Sequence, residues 1–159
     1  MLDLGSWPGG WLEVLAQRLG PDARIVGVDL EPTDAIAPNV AILVLDMCAP
    51  EALPAIEAAL GGRKADAVLC DASPKLTGIR DADLAALEEI YQAALALAEA
   101  LLTPRGFLIV KGFPGQESDL FRKELRRRFA SVHEVRPEAK RATSKEFYWV
   151  AHRRSGRHE

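Results

Sequence analysis

Apolar residues fall in two kinds of segment along this chain. Short, nearly continuous runs alternate with longer stretches whose apolar positions recur at helical spacing. Met1–Leu4 reads as the end of a strand. Residues 11–19 follow as a helix with Trp11, Leu12, Leu15 and Leu19 on one face, stopped by Gly20-Pro21. The runs 24–29 (RIVGVD), 40–45 (VAILVL) and 65–70 (ADAVLC) read as strands, with an Ala-rich helix at 50–60 closed by Gly61-Gly62. A long Ala-, Leu- and Glu-rich helix is predicted over 83–102. A turn at 103–106, a strand at 107–110, a helix at 117–129 and strands at 131–136 and 146–152 complete the pattern.

Strands separated by helices pair in parallel, because the crossover returns the chain to the same edge of the sheet. Continuous apolar runs suit strands buried on both faces. Only a loop separates the last two strands, which allows an antiparallel hairpin at the sheet edge. The expectation is a Rossmann-like α/β fold. Its sheet is seven-stranded and mostly parallel, with one antiparallel edge strand and helices on both faces.

Composition bounds the reading without changing it. The chain has 159 residues, 48% apolar and 27% charged, which fits one domain with a sizeable core. Residues 1–152 are assigned to that domain and 153–159, with Arg153, Arg154 and Arg157, to a basic polar tail. No run approaches the length of a membrane span, and the N-terminus lacks the basic region of a secretory signal. Cys48 and Cys70 form no framework, so a reducing cytoplasm is expected. Charge is uneven: residues 1–100 carry 6 Lys or Arg against 16 Asp or Glu, and residues 101–159 carry 14 against 7. A basic last third suggests a face for a polyanion. A solvated helix face and tail would give the same count.

Ligands of open α/β sheets sit beyond the carboxyl ends of the strands. There the sequence places a Gly-rich turn (Gly5-Ser6-Trp7-Pro8-Gly9-Gly10), then Asp29, Asp46, Asp71 and Lys111 after successive strands. A carboxylate after the second strand can accept from both hydroxyls of a ribose, and one after the third from an exocyclic amine of adenine. The glycines let backbone approach a ligand closely. A lone Asp at a strand end is commonly a turn former, but three in register make an adenosine site. The turn lacks the G-x-G-x-x-G spacing of dinucleotide binders, and no G-K-[ST] phosphate loop is present. The ligand is therefore expected to be a nucleoside without a pyrophosphate.

Several segments together resemble the FtsJ family of RNA ribose 2′-O-methyltransferases: DLGSWPGGW at 3–11, VGVDLEP at 26–32, VLCDASPKLTG at 68–78, FLIVKGFPG at 107–115 and RATSKEFYWVA at 141–151. They span the chain in the family's order. The resemblance implies an S-adenosylmethionine-dependent methyltransferase fold and a Lys-Asp-Lys-Glu catalytic tetrad, whose last three members are Asp71, Lys111 and Glu146. It implies cofactor contacts from the loop glycines Gly5, Gly9 and Gly10, and from Trp11, Asp29, Asp46 and Asp71. The substrate it implies is a uridine of 23S ribosomal RNA in the large subunit. A monomer is expected.

Two departures from the family pattern matter. The first tetrad lysine lies in a segment that the family carries before the Gly-rich motif, and no lysine precedes Lys64 here. The alternative reading is accordingly a catalytically impaired protein that binds the cofactor and RNA. Lys75 stands where an Asn is usual, and could contact RNA phosphate or partly replace that lysine.

The chemistry is an in-line methyl transfer, which needs alignment and removal of the 2′-hydroxyl proton. Lys111 is the candidate to orient or deprotonate the hydroxyl, Asp71 to position it, and Glu146 to fix the geometry. Lys75, Lys140, Arg141 and Lys145 are the candidate RNA contacts, preferred over Arg122, Lys123, Arg126, Arg127 and Arg128 of the helix at 117–129 because they lie nearer the catalytic segments in sequence. Each has a plainer reading. Lys111 could snorkel to solvent, Glu146 could sit on an edge strand, and Tyr148 and Trp149 could be core and lid rather than RNA-stacking residues. His133, His152 and His158 lack metal-ligand spacing, so no metal is expected.

Overall fold

The computed structural model describes residues 1–137 and 146–153. The chain runs β1 (Leu2–Leu4), α1 (Gly10–Leu19), β2 (Ile25–Asp29), β3 (Val40–Val44), α2 (Ala52–Ala59), β4 (Ala65–Cys70), α3 (Arg80–Leu101), β5 (Leu102–Gly112), α4 (Gln116–Arg128), β6 (Ser131–Val135) and β7 (Phe147–His152). The strands form one seven-stranded sheet in the order β3-β2-β1-β4-β5-β7-β6. Four neighbouring pairs, from β3 to β5, are parallel. β7 runs antiparallel to both β5 and β6.

The expected mostly parallel sheet is present, with one change of detail. The reversed strand β7 lies one place in from the edge, and β6 takes the edge. The side chains explain this. Phe147, Trp149 and Ala151 of β7 are buried, whereas His133, Glu134 and Val135 of β6 are exposed. An apolar strand gains by being flanked on both sides, and a polar one tolerates the edge. α3 starts three residues before the predicted position. The predicted turn at 103–106 appears as an irregularity inside β5, where the pairing with β4 shifts register.

Alternation of side chains sorts the two faces. Leu2 and Leu4, Val26 and Val28, Val68 and Cys70, Leu108 and Val110, and Phe147, Trp149 and Ala151 join one core with residues of α2, α3 and α4. Tyr91 of α3 stacks on Phe121 of α4, and both meet Trp149. Gly27 points to the other face, where a Cβ would run into Leu12 of α1. Leu12 is the buried residue of that helix, while Trp11 and Leu15 are half-buried and Leu19 exposed. The four-residue apolar face read from the sequence is therefore only partly used. Arg153 donates to the carbonyls of Leu102 and Glu99, which fastens the end of β7 to the α3–β5 corner.

Strand ends are tied together by single hydrogen bonds. Gly5 and Ser6 donate N–H to the Val28 carbonyl at 2.8 and 3.1 Å, Asp71 donates N–H to Leu4 O at 3.0 Å, and Leu45 to Asp29 O at 3.0 Å. Gly5 has φ 77°, and a Cβ there would lie 2.5 Å from the Ala72 nitrogen. Only glycine accommodates both the turn and the close approach of the loop after β4.

Asp3, between Leu2 and Leu4, belongs to the face that α1 covers. It is 0% exposed and its carboxyl has no hydrogen-bond partner. Burial first, and then the charges of Asp71 and Asp29, push its pKa up to about 7. An acid whose pKa is raised on folding stays protonated in the native state while the unfolded chain ionises. Its stabilising effect is therefore full below the ordinary value of 3.8 and is lost as pH rises toward about 7. Asp3→Asn removes this dependence. In paired thermal melts its stability advantage over the parent should grow from pH 4 to pH 7, at up to about 1.4 kcal/mol per pH unit, and level off above. A constant difference across that range would show that Asp3 does not titrate as described.

Candidate active site

The carboxyl ends of β1, β2, β3 and β4 open on one rim. The parallel register and the hydrogen bonds just described bring together the Gly5–Gly10 turn, Asp29, Asp46 and Asp71. Each carboxylate is already engaged locally. Asp29 accepts the Trp7 N–H at 2.9 Å on one oxygen and the Glu31 N–H at 2.9 Å on the other. Asp46 accepts the Cys48 N–H at 2.8 Å. The turn-forming role is real, and it orients the acids without exhausting their lone pairs. Asp46 is exposed, and Asp29 and Asp71 are half-buried.

The Gly-rich turn leads into α1 through Gly9, with φ 113° and no side-chain cap on the helix. The first N–H groups of α1 therefore lack the usual capping oxygen. Gly9 is buried, and a Cβ on it would press on Thr33 and Ile36. Gly10 is exposed, with open space where a side chain would stand. Trp11 is half-buried and its ring lies 5.7 Å from that of Tyr148, tilted by 40°.

Lys111 ends the apolar part of β5 and is only 8% exposed. Its ammonium donates to the Asp71 backbone carbonyl at 2.8 Å and lies 3.2 Å from Asp71 Oδ1. It also stands over the Phe113 ring at 5.7 Å. The snorkelling alternative does not describe this side chain, which turns inward to a carboxylate. β5–β7 pairing sets Tyr148 directly opposite Lys111. The Tyr148 hydroxyl donates to Asp71 Oδ1 at 2.9 Å. Burial, that hydrogen bond and the charges of Asp71 and Glu146 all push the phenol pKa up, so Tyr148 remains a donor.

Glu146, just before β7, is exposed and among the described residues forms no ion pair. It lies two residues before Tyr148, and its charge is the smallest of the causes that raise that phenol. Lys75 extends into solvent, its side chain 85% exposed, and pairs with Glu31 at 3.4 Å rather than with Asp71. Lys140, Arg141 and Lys145 lie outside the described residues. On α4, Arg127 pairs with Glu124, and Arg128 with Glu99 and Glu124. Among the described residues no group of His, Cys, Asp and Glu could hold a metal, and no helix is long and apolar enough to cross a membrane.

Two residues of this rim were not assigned roles from the sequence. Tyr148 is half-buried: the alternation of β7 places it on the face opposite the buried Phe147 and Trp149. Asp3 was read only as the start of the glycine motif. Its position between two core leucines was the signal of a buried carboxyl.

The sequence profile of the FtsJ-like methyltransferases matches residues 1–154. Among relatives, the chain is 39% identical over 151 residues to "Ribosomal RNA large subunit methyltransferase E" of Halorhodospira halophila. That alignment spans 95% of this chain and 71% of the relative. It is 40% identical over 149 residues to the protein of the same name from Anaeromyxobacter dehalogenans, spanning 93% of this chain but only 55% of that one. The fold matches a crystal structure of a putative ribosomal RNA methyltransferase from Plasmodium falciparum, with TM-score 0.81 and 25% identity over 98% of this chain and 86% of that one. A fibrillarin/Nop5p complex shares the fold alone, with TM-score 0.65 and 18% identity over 96% of this chain and 71% of that one. With the profile covering nearly the whole chain and the glycine turn, acids and lysine arranged on one rim, this protein belongs to the FtsJ-like methyltransferase family.

Proposed function

We propose that this chain carries the methyl-transfer site of an S-adenosylmethionine-dependent ribosomal RNA ribose 2′-O-methyltransferase acting on the large subunit. The observation that carries the reading is the Lys111–Asp71 pair, seated inward at the rim where the Gly-rich turn and three strand-end acids converge. The names of the relatives supply the substrate class: large-subunit ribosomal RNA. A uridine of 23S RNA as the target follows from the resemblance of the motifs. A cytoplasmic site of action fits two free cysteines.

The residues present fit the cofactor. Open space at Gly10 and the uncapped start of α1 suit the carboxylate of a methionine part, since helix N-termini bind anions. Asp29 would hold the ribose hydroxyls and Asp46 the adenine amine. Gly5, Gly9 and Trp11 would shape the intervening wall, and Asp71 would face the methyl-bearing end. When bound, the cofactor supplies an activated methyl on a sulfonium whose departure leaves a neutral thioether, so the protein need not stabilise an anionic leaving group.

What remains is to hold the ribose hydroxyl in line and take up its proton. Lys111 orients the hydroxyl or takes up its proton, the second role requiring the amine form. The ammonium so formed is held by Asp71 Oδ1 and by the Asp71 carbonyl, both already in contact. An ammonium has three N–H donors. With two committed to Asp71, the third faces the hydroxyl oxygen. Glu146, at the start of the segment that enters β7, would steady the β7 side of the site. Lys75, with Lys140, Arg141 and Lys145, would meet phosphates of the RNA.

A second reading rests on one observation. Among the described residues, Lys111 is the single lysine brought to Asp71, because Lys75 turns to Glu31. A site with one lysine could bind cofactor and RNA without turnover. Incubation with methyl-labelled S-adenosylmethionine and unmodified large ribosomal subunits separates the two. Label in alkali-resistant dinucleotides is the expected result, and cofactor binding without label selects the non-catalytic reading. In the active protein Lys111→Ala should lower kcat by about a hundredfold or more, and retained turnover would remove Lys111 from the chemistry.

Cofactor contact is tested separately. Asp29→Asn keeps an acceptor for the Trp7 N–H and removes the charge. Affinity for S-adenosylhomocysteine, measured by calorimetry, should fall about tenfold or more; unchanged affinity would take the ribose from Asp29. RNA binding through a few phosphate contacts should weaken about tenfold between 50 and 200 mM salt, and a flat response would argue against the basic contacts.

A further inference from the structure

We infer that Tyr148 is a positioning residue that couples the cofactor turn to the catalytic carboxylate. The inference rests on the methyltransferase reading above and adds a residue to it.

The geometry has three parts. First, Asp71 Oδ1 accepts from two donors at once, the Tyr148 hydroxyl at 2.9 Å and Lys111 Nζ at 3.2 Å. A carboxylate oxygen has two lone pairs, so these contacts occupy Oδ1 and fix the rotation of the carboxyl. Second, Tyr148 and Lys111 are opposite each other in the β5–β7 ladder, so backbone pairing sets their spacing. Third, the Tyr148 ring rests against Trp11, two residues after Gly9. Any ligand that orders the Gly9–Trp11 turn therefore bears on the ring whose hydroxyl sets Asp71. The phenol stays protonated, because burial and the nearby acids oppose its ionisation.

The consequence is specific. Without the hydroxyl, Asp71 Oδ1 loses one of two restraints and its carboxyl can turn, while Lys111 keeps only the Asp71 backbone carbonyl as a fixed partner. Tyr148→Phe retains the ring, the contact with Trp11 and the strand pairing to Lys111 and Val135. The variant should bind S-adenosylhomocysteine and RNA like the parent, because it removes no ligand contact.

The experiment has two arms. In kinetics, Tyr148→Phe should lower kcat by about ten- to a hundredfold, the range for a hydrogen bond to a charged group, with the KM for both substrates little changed. Unchanged kcat overturns the inference, whatever happens to thermal stability. The second arm needs no turnover. The chain has two tyrosines, so fluorotyrosine labelling gives two fluorine signals. Tyr91, stacked at 4.3 Å on Phe121 in the core, serves as the internal control.

Adding S-adenosylhomocysteine should move the Tyr148 signal and leave Tyr91 in place. Binding seen by calorimetry with a stationary Tyr148 signal, or with both signals moving alike, overturns the coupling. If the parent transfers no methyl yet Tyr148 alone responds, the catalytic reading falls and the coupling stands. If S-adenosylhomocysteine does not bind the parent, both fall.

Discussion

The candidate site exists because two loops can touch. Gly5 follows β1 and Ala72 follows β4, and the space between them is too small for a Cβ. That contact lets the Asp71 N–H reach Leu4 O and seats the Asp71 carboxylate beside the glycine turn. A side chain at Gly5 would have to adopt a left-handed backbone and displace the very segment that carries Asp71. The same rim then inherits its order from the parallel register, which ends β1, β2, β3 and β4 at one level.

Gathering acids at one rim has an electrostatic cost. Asp3, fully buried, bears it: burial first, and then the charges of Asp71 and Asp29, oppose its ionisation. The protein manages the rest through hydrogen bonds. Asp29 and Asp46 are held by backbone N–H groups, and Asp71 by Lys111 and Tyr148. A cationic ligand would relieve what remains, since opposite charge favours the ionised carboxylates. An acid-rich rim with one inward lysine is thus better matched to a sulfonium than to a phosphate-bearing cofactor. The sequence reached the same preference from the missing fingerprint glycine.

Much of the fold was legible because strand signals here are strong. Runs such as IVGVD and ADAVLC are buried on both faces and bounded by turn residues, so β2 and β4 matched within a residue. The order of the last two strands was less accessible. Period-2 alternation marks β6 and β7 as strands, but their placement depends on how much apolar surface each brings to a shared core. α1 shows a similar limit: its spacing predicted a four-residue face, yet only Leu12 reaches the gap over Gly27. Asp29, Asp46, Asp71 and Lys111 could be found from strand ends alone. Tyr148 could not, because its role depends on a cross-strand neighbour and on a loop 77 residues away in sequence.

Charge counts were the least informative signal. The basic run of α4 looks like a nucleic-acid face in the sequence, but Arg127 and Arg128 are spent on Glu124 and Glu99. Such exposed pairs contribute little to stability. They do remove charge from any patch, because each arginine would have to leave a partner before meeting a phosphate. Position relative to the Lys111–Asp71 pair is the better guide. Lys75 sits four residues after Asp71 on an exposed loop, and its pairing with Glu31 is long and solvent-screened. A phosphate arriving there displaces a weak partner, whereas at Arg128 it must compete with a carboxylate already bound by two hydrogen bonds.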